Sequence, residues 1–169
     1  MERAEFDRFT AELTAWAEVD PRVRGLVVLG STSGVGREPD EWSDHDFFVI
    51  CTDGAAGELR ADRAWLPDPD RVVIHVRETE HGRSAVYDDG HLAEYAVFEF
   101  DELGLAKANG YRVLVDDGTV EGRMAEIAQR TANDATRTDP DDLFGSFVAQ
   151  LAVGLNRYGR GERLSANHL

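Results

Sequence analysis

Phe6, Phe9, Leu13 and Trp16 recur at three- and four-residue spacings, which predicts an amphipathic helix over residues 3–18 that ends before Pro21. The pattern then changes period. Residues 23–29 are dense in valine and leucine and break at Gly30-Ser31; apolar sequence resumes over residues 45–51, after a loop rich in Gly, Glu and Asp. Two core strands flanking a polar loop are expected. Residues 55–65 suit a helix, 71–76 a third strand and 92–100 a fourth, and 111–115 form a short fifth before Asp116-Asp117-Gly118. From Val120 onward the period is helical, and Phe144, Phe147, Val148, Leu151, Ala152 and Leu155 form a stripe expected to serve packing. Asp139 or Asp141 is placed to cap that last helix, with Pro140 in its first turn.

The fold class that follows is α/β (α+β), a mixed sheet flanked by helices, with a core over residues 1–118 and a helical C-terminal region over residues 119–169. Pro67-Asp68-Pro69-Asp70 and the segment from Thr138 to Asp142 read as turns or helix starts, and no repeat is visible. The final residues 165–169 are amphipathic without a closing Gly or Pro, so the helical region is expected to be cut short.

Composition narrows the function. Of 169 residues, 33 are acidic and 18 basic, a formal charge of -15, and such a surface repels a phosphate backbone; nucleic acid is not an expected partner. The same field attracts metal ions and small polycations, and it also serves solubility. With 42% apolar residues there is material for a core, so whole-chain disorder is not expected. The charged start Met1-Glu2-Arg3 is unlike a secretion signal, and no run approaches the roughly 18 apolar residues of a membrane span, so a cytoplasmic protein without membrane association is expected. The single cysteine, Cys51, sits in an apolar run and reads as a buried structural thiol.

The chemistry concentrates in Leu29-Gly30-Ser31, followed thirteen residues after Ser31 by Asp44-His45-Asp46 and the apolar residues 47–50. Aspartates at i and i+2 of a strand project to one face, about 7 Å apart along the backbone, so both carboxylates can converge on hard divalent cations such as Mg²⁺. Gly30 lets the backbone approach a ligand closely. Ser31, starting a short helical turn, offers a hydroxyl and backbone N–H groups to phosphate oxygens. Alternation turns His45 away from the aspartates, so it is expected to be a packed or hydrogen-bonded histidine. His75, His81, His91 and His168 show no metal-ligand spacing. Lys107, the only lysine, reads as a surface residue, which leaves phosphate charge to arginines, with Arg157 and Arg160 as the C-terminal candidates.

A hydrophobic strand ending in Gly-Ser, a short spacer and an Asp-x-Asp strand resemble the nucleotidyltransferase superfamily, here as residues 27–33 and 44–50. Within it the chain looks most like antibiotic nucleotidyltransferases of the streptomycin and lincosamide types, with supporting context in residues 37–44 and 111–118 and a looser likeness over 155–166. The resemblance implies a third carboxylate on a later strand. Glu94 is the matching position and Glu99 the alternative, since the two face opposite ways and alternation does not say which faces the cleft. It further implies Mg²⁺ held by Asp44, Asp46 and Glu94, which are also the catalytic residues, and a nucleoside triphosphate, ATP first, held at Gly30 and Ser31. The implied reaction is transfer of a nucleoside monophosphate to a hydroxyl of a small molecule such as an aminoglycoside or lincosamide, a route to antibiotic resistance. The chain is shorter than the family pattern. That shortness supports a rival, a catalytically weak nucleotide-binding or antitoxin-like interaction module of the same fold, and a homo-oligomer is compatible with it. A glycosyltransferase using Asp-His-Asp is a third reading, against which the upstream Gly-Ser argues.

Overall fold

A computed structural model of the protein describes residues 2–36, 38–136 and 139–166. Arg37, Thr138 and the segment 167–169 with His168 lie outside the described residues. The chain divides into two compact units, Met1–Gln129 and Arg130–Leu169.

The first unit is a mixed α/β structure around a six-stranded sheet. Its strands are β1 (Val23–Leu29), β2 (His45–Cys51), β3 (Val72–Arg77), β4 (Gly82–Tyr87), β5 (Leu92–Glu99) and β6 (Tyr111–Asp116), in the order β3-β4-β5-β2-β1-β6. Only β2 and β5 run parallel; every other neighbouring pair is antiparallel. Because side chains alternate, β2 feeds two cores. Phe47, Val49 and Cys51 pack with Leu26, Val28 and Tyr95 on the side covered by the helices α1 (Arg3–Val19) and α2 (Ala56–Ala61). Phe48 and Ile50 pack with Val27 and Phe98 on the side covered by α3 (Val120–Thr136).

The helices follow local chemistry. In α1, Phe6, Phe9, Leu13 and Ala17 are buried along one stripe, and the Glu2 N–H donates to Glu5 Oε2 at 3.2 Å across the first turn. Trp16, half-buried, stacks on Trp65 at 4.6 Å between ring centroids. The helix expected over 55–65 ends early, at Ala61. Asp62 Oδ1 accepts from the Ala64 N–H at 2.9 Å, and this turn swings Trp65 inward, where its indole donates to Leu59 O at 3.0 Å. Asp116 Oδ1 accepts from the N–H groups of Gly118 and Val120 at 2.8 and 2.9 Å, turning the chain into α3, whose Val120, Met124 and Ile127 are fully buried. The core therefore extends into α3 rather than stopping at residue 118.

Strand β4 has no counterpart among the expected elements, and Gly-Arg-Ser carries no apolar alternation to reveal it. Arg83 is buried there because its guanidinium donates to backbone carbonyls, among them Arg60 O at 3.2 Å and Gly82 O at 2.9 Å.

The second unit contains α4 (Pro140–Gly159) and the short α5 (Arg163–Ala166). Asp139 is the N-cap of α4, its carboxylate accepting from the Asp141 N–H at 2.9 Å, with Pro140 at the first helical position. The apolar stripe predicted here is present but not packed: no residue of α4 is buried, and Phe144 is 68% and Leu155 63% exposed. No helix among the described residues is long and apolar enough to cross a membrane.

Candidate metal centre

The sheet register builds the site. Asp46 in β2 and Glu94 in β5 are in-register partners of the parallel pair, so their side chains stand side by side on the same face. Asp44, two residues before Asp46, joins them. One carboxylate oxygen from each of the three lies within 4.8 Å of the others, and all three residues are half-buried. Glu99 is at the far end of β5, where its carboxylate accepts from the Gly54 N–H at 2.9 Å and takes no part in this group.

The loop after β1 closes on the same point. Gly30 has φ of +50°, and a Cβ there would come 2.9 Å from Asp46 Oδ2, so both backbone conformation and space demand glycine. Residues Gly30–Ser33 form a 3₁₀ turn. Thr32 Oγ1 donates to Asp44 O at 3.2 Å, Ser33 Oγ donates to Gly30 O at 2.7 Å, and Arg112 Nη2 donates to Thr32 O at 3.3 Å. Ser31 is half-buried. A cavity of about 430 Å³ lined by Thr10, Thr32, Ser33 and Arg112 lies on the α1 side of the sheet and includes none of the three carboxylates.

Three carboxylates this close oppose one another's ionisation. Burial, and then the charges of Asp44 and Glu94, push the Asp46 carboxyl from an ordinary value of 3.8 up to about 6. Glu94 is raised by burial and by the neighbouring charges of Glu78 and Asp44. A divalent cation reverses this electrostatic logic, favouring the ionised form of every ligand it binds. Oxygens on one Mg²⁺ lie at most about 4.2 Å apart, twice the usual metal–oxygen distance, so the group needs only a small closure to share an ion. The donor set, all carboxylate oxygens, is the chemistry Mg²⁺ selects.

On the opposite face His45 is fully buried. Its Nε2 and the Thr10 hydroxyl are 3.0 Å apart, its Nδ1 and His91 Nε2 are 2.8 Å apart, and its ring stacks on Phe6 at 3.7 Å. Burial, with the adjacent His91, lowers its pKa to about 3, so it is a neutral packing residue behind the aspartates, as alternation predicts. Cys51 is buried, and burial followed by the Glu99 charge pushes its thiol up to about 11. Lys107 is exposed, as expected.

Glu78, Ser84 and His91 near the site have no role that the sequence alone suggests. Ser84 is the register partner of Glu94 in β4 and donates to Glu78 Oε1 at 2.6 Å, which brings a fourth carboxylate beside the group. No motif marks Glu78; only the pairing of the unforeseen strand β4 places it. His91 backs His45, and a search for metal-ligand spacings is blind to such a pair. Arg157 and Arg160 lie at the end of the second unit's α4, with the Arg157 guanidinium donating to Ser165 O at 3.2 Å.

Comparison of the chain with protein-family models and with curated proteins finds no match.

Proposed function

We propose that the protein is a Mg²⁺-dependent nucleotidyltransferase that moves a nucleoside monophosphate from a nucleoside triphosphate, ATP first, to a hydroxyl of a small molecule. The observation that carries this reading is the convergence of Asp44, Asp46 and Glu94 beside the Gly30 loop. The parallel β2–β5 pair joined antiparallel to β1 supports a nucleotidyltransferase-like arrangement.

When bound, divalent ions supply charge neutralisation at the transferring phosphoryl group and at the pyrophosphate that leaves. Asp44, Asp46 and Glu94 would hold them. Gly30, without a side chain, leaves room for phosphate oxygens next to Asp46, and the Ser31 hydroxyl orients them. The acceptor oxygen forms a bond to the α-phosphorus as the bond to the pyrophosphate oxygen breaks. The acceptor proton passes to the Glu94 carboxylate, which stands beside Asp46 in the parallel register of β5 on β2. The acidic composition favours a cationic acceptor such as an aminoglycoside. Lincosamides remain within the acceptor class.

A second reading, an interaction module of the same fold with weak catalysis, is favoured by the exposed apolar stripe of α4. Pyrophosphate release from ATP and Mg²⁺ across a panel of aminoglycosides and lincosamides separates the two. Release that Asp46→Asn abolishes while the circular dichroism spectrum is unchanged supports transfer; release that survives Asp46→Asn rejects this site. Nucleotide binding without release on any acceptor favours the interaction module.

A further inference from the structure

The order of the sheet divides the metal-bearing face in two. Gly30 and Ser31 follow β1, on one side of Asp46, and β5, β4 and β3 extend on the other. Asp46 pairs with Glu94, Glu94 with Ser84 and Ser84 with Val76, so these side chains form one row across the face. Val76 stands two strands, about 10 Å, beyond Glu94. A parallel row sets Leu92 beside Val86 and Val86 beside Ile74. On the opposite face the same strands are closed, with Ala85, Tyr87, Ala93 and Tyr95 in the core under α1 and α2. On the metal-bearing face Ile74 is 51% and Val76 45% exposed, Val86 and Leu92 are half-buried, and none of the four belongs to either core among the described residues.

Glu78 closes this apolar shelf just past the end of β3. Ser84 Oγ fixes its Oε1 at 2.6 Å and the Glu78 N–H donates to Gly82 O at 3.1 Å. Glu102 is matched by Arg60 and His81, but no cationic side chain among the described residues lies within ion-pair distance of Glu78. A carboxylate held in place without a counter-ion, beside exposed hydrocarbon, is complementary to a ligand that carries both an ammonium group and an apolar part. We propose that the shelf seats the acceptor, and that the acceptor is an amphipathic amine whose hydrocarbon lies on Ile74, Val76 and Val86 while its ammonium group bonds Glu78. The proposal rests on the nucleotidyl-transfer reading and adds to it the seat and chemistry of the second substrate. The Gly30 loop lies on the β1 side and the shelf on the β3 side, so Asp46 and Glu94 stand between the two substrates, where transfer needs them. A polyhydroxylated polycation gains at Glu78 but buries little hydrocarbon on the shelf, which narrows the acceptor class to amines bearing an alkyl or apolar ring substituent.

Methyl-resolved NMR of the whole chain, with Mg²⁺ present, reads the shelf without requiring turnover. Hexylamine should shift the methyl signals of Ile74, Val76 and Val86 together, while hexanol and ethylenediamine, each lacking one half of the chemistry, should bind at least about threefold more weakly. Glu78→Gln still accepts from Ser84, so the fold is kept, and should weaken hexylamine to the level of hexanol. In pyrophosphate release, the KM of an amine acceptor should rise roughly three- to tenfold in Glu78→Gln. Ile74→Thr with Val76→Thr, two changes at exposed positions, should raise KM most for the acceptors richest in hydrocarbon. Shelf methyls that do not move with hexylamine, or that move equally in Glu78→Gln, overturn the proposal. Transfer that Asp46→Asn abolishes but whose acceptor KM ignores Glu78→Gln overturns the shelf and keeps the transfer reading; hexylamine on the shelf with no transfer to any amine keeps the amine site and overturns its assignment to the acceptor.

Discussion

At the scale of single residues, Asp46 is under electrostatic tension from burial and from the charges of Asp44 and Glu94. Its carboxyl titrates near 6 in the folded, metal-free chain against an ordinary value of 3.8. Between those values the folded state holds a proton that the unfolded chain has lost. The stability this group contributes is therefore fully present below about pH 4 and lost as the pH rises through 6. In EDTA at pH 7.5, Asp46→Asn should melt above the wild type, and the difference should shrink as the pH falls below 5. Mg²⁺ should raise the melting temperature of the wild type and leave the variant unmoved. A variant less stable than the wild type in EDTA would contradict the like-charge account. Gly30 is constrained by two independent features, its positive φ and the 2.9 Å approach to Asp46. Gly30→Ala should cost roughly 1–3 kcal/mol in urea unfolding and weaken the Mg²⁺-induced stabilisation; an unchanged midpoint would show that the loop is not held as described.

Individual elements differ in how plainly the sequence announces them. The helix with Phe6, Phe9 and Leu13 follows from apolar periodicity, because it buries one face, and the strands of Val23–Leu29 and His45–Cys51 follow from apolar runs, because both their faces feed a core. Strand β4 is hidden because its first half is buried through the polar Arg83 and Ser84, with an arginine satisfied by carbonyls taking the place of an aliphatic residue, and only Ala85 and Tyr87 join the apolar core. Arg83→Met keeps much of the volume but strips those carbonyls of their donor, and should lower stability by about 1–3 kcal/mol in chemical denaturation. A neutral effect would mean that water serves the carbonyls as well as Arg83 does. The helix over 55–65 was read too long for a related reason: Asp62 turns the chain, and Trp65 is buried by tertiary packing against Trp16 rather than by helical phase. Glu94 and Glu99 were equal under alternation. Only the parallel register of β5 against β2, a long-range pairing with no local signature, sets Glu94 beside Asp46.

For the molecule as a whole, the sequence made the class of fold and the Gly30-Ser31 and Asp44-Asp46 pair legible, because both rest on local pattern. The unit boundary inside α3, the exposed stripe of α4 and the presence of Glu78 beside Glu94 depend on what packs on what, which periodicity does not encode. The overall charge of -15 adds to that of the three carboxylates, so under the proposed function a triphosphate approaches the group only with its charge offset by a divalent ion. The most direct measurement of that claim is calorimetric titration of the chain with ATP and GTP, with and without Mg²⁺, beside the Asp44→Asn, Asp46→Asn double variant. The account predicts nucleotide binding that requires Mg²⁺ and disappears in the folded double variant. Nucleotide binding that is equal without Mg²⁺, or that persists in the double variant, would contradict it.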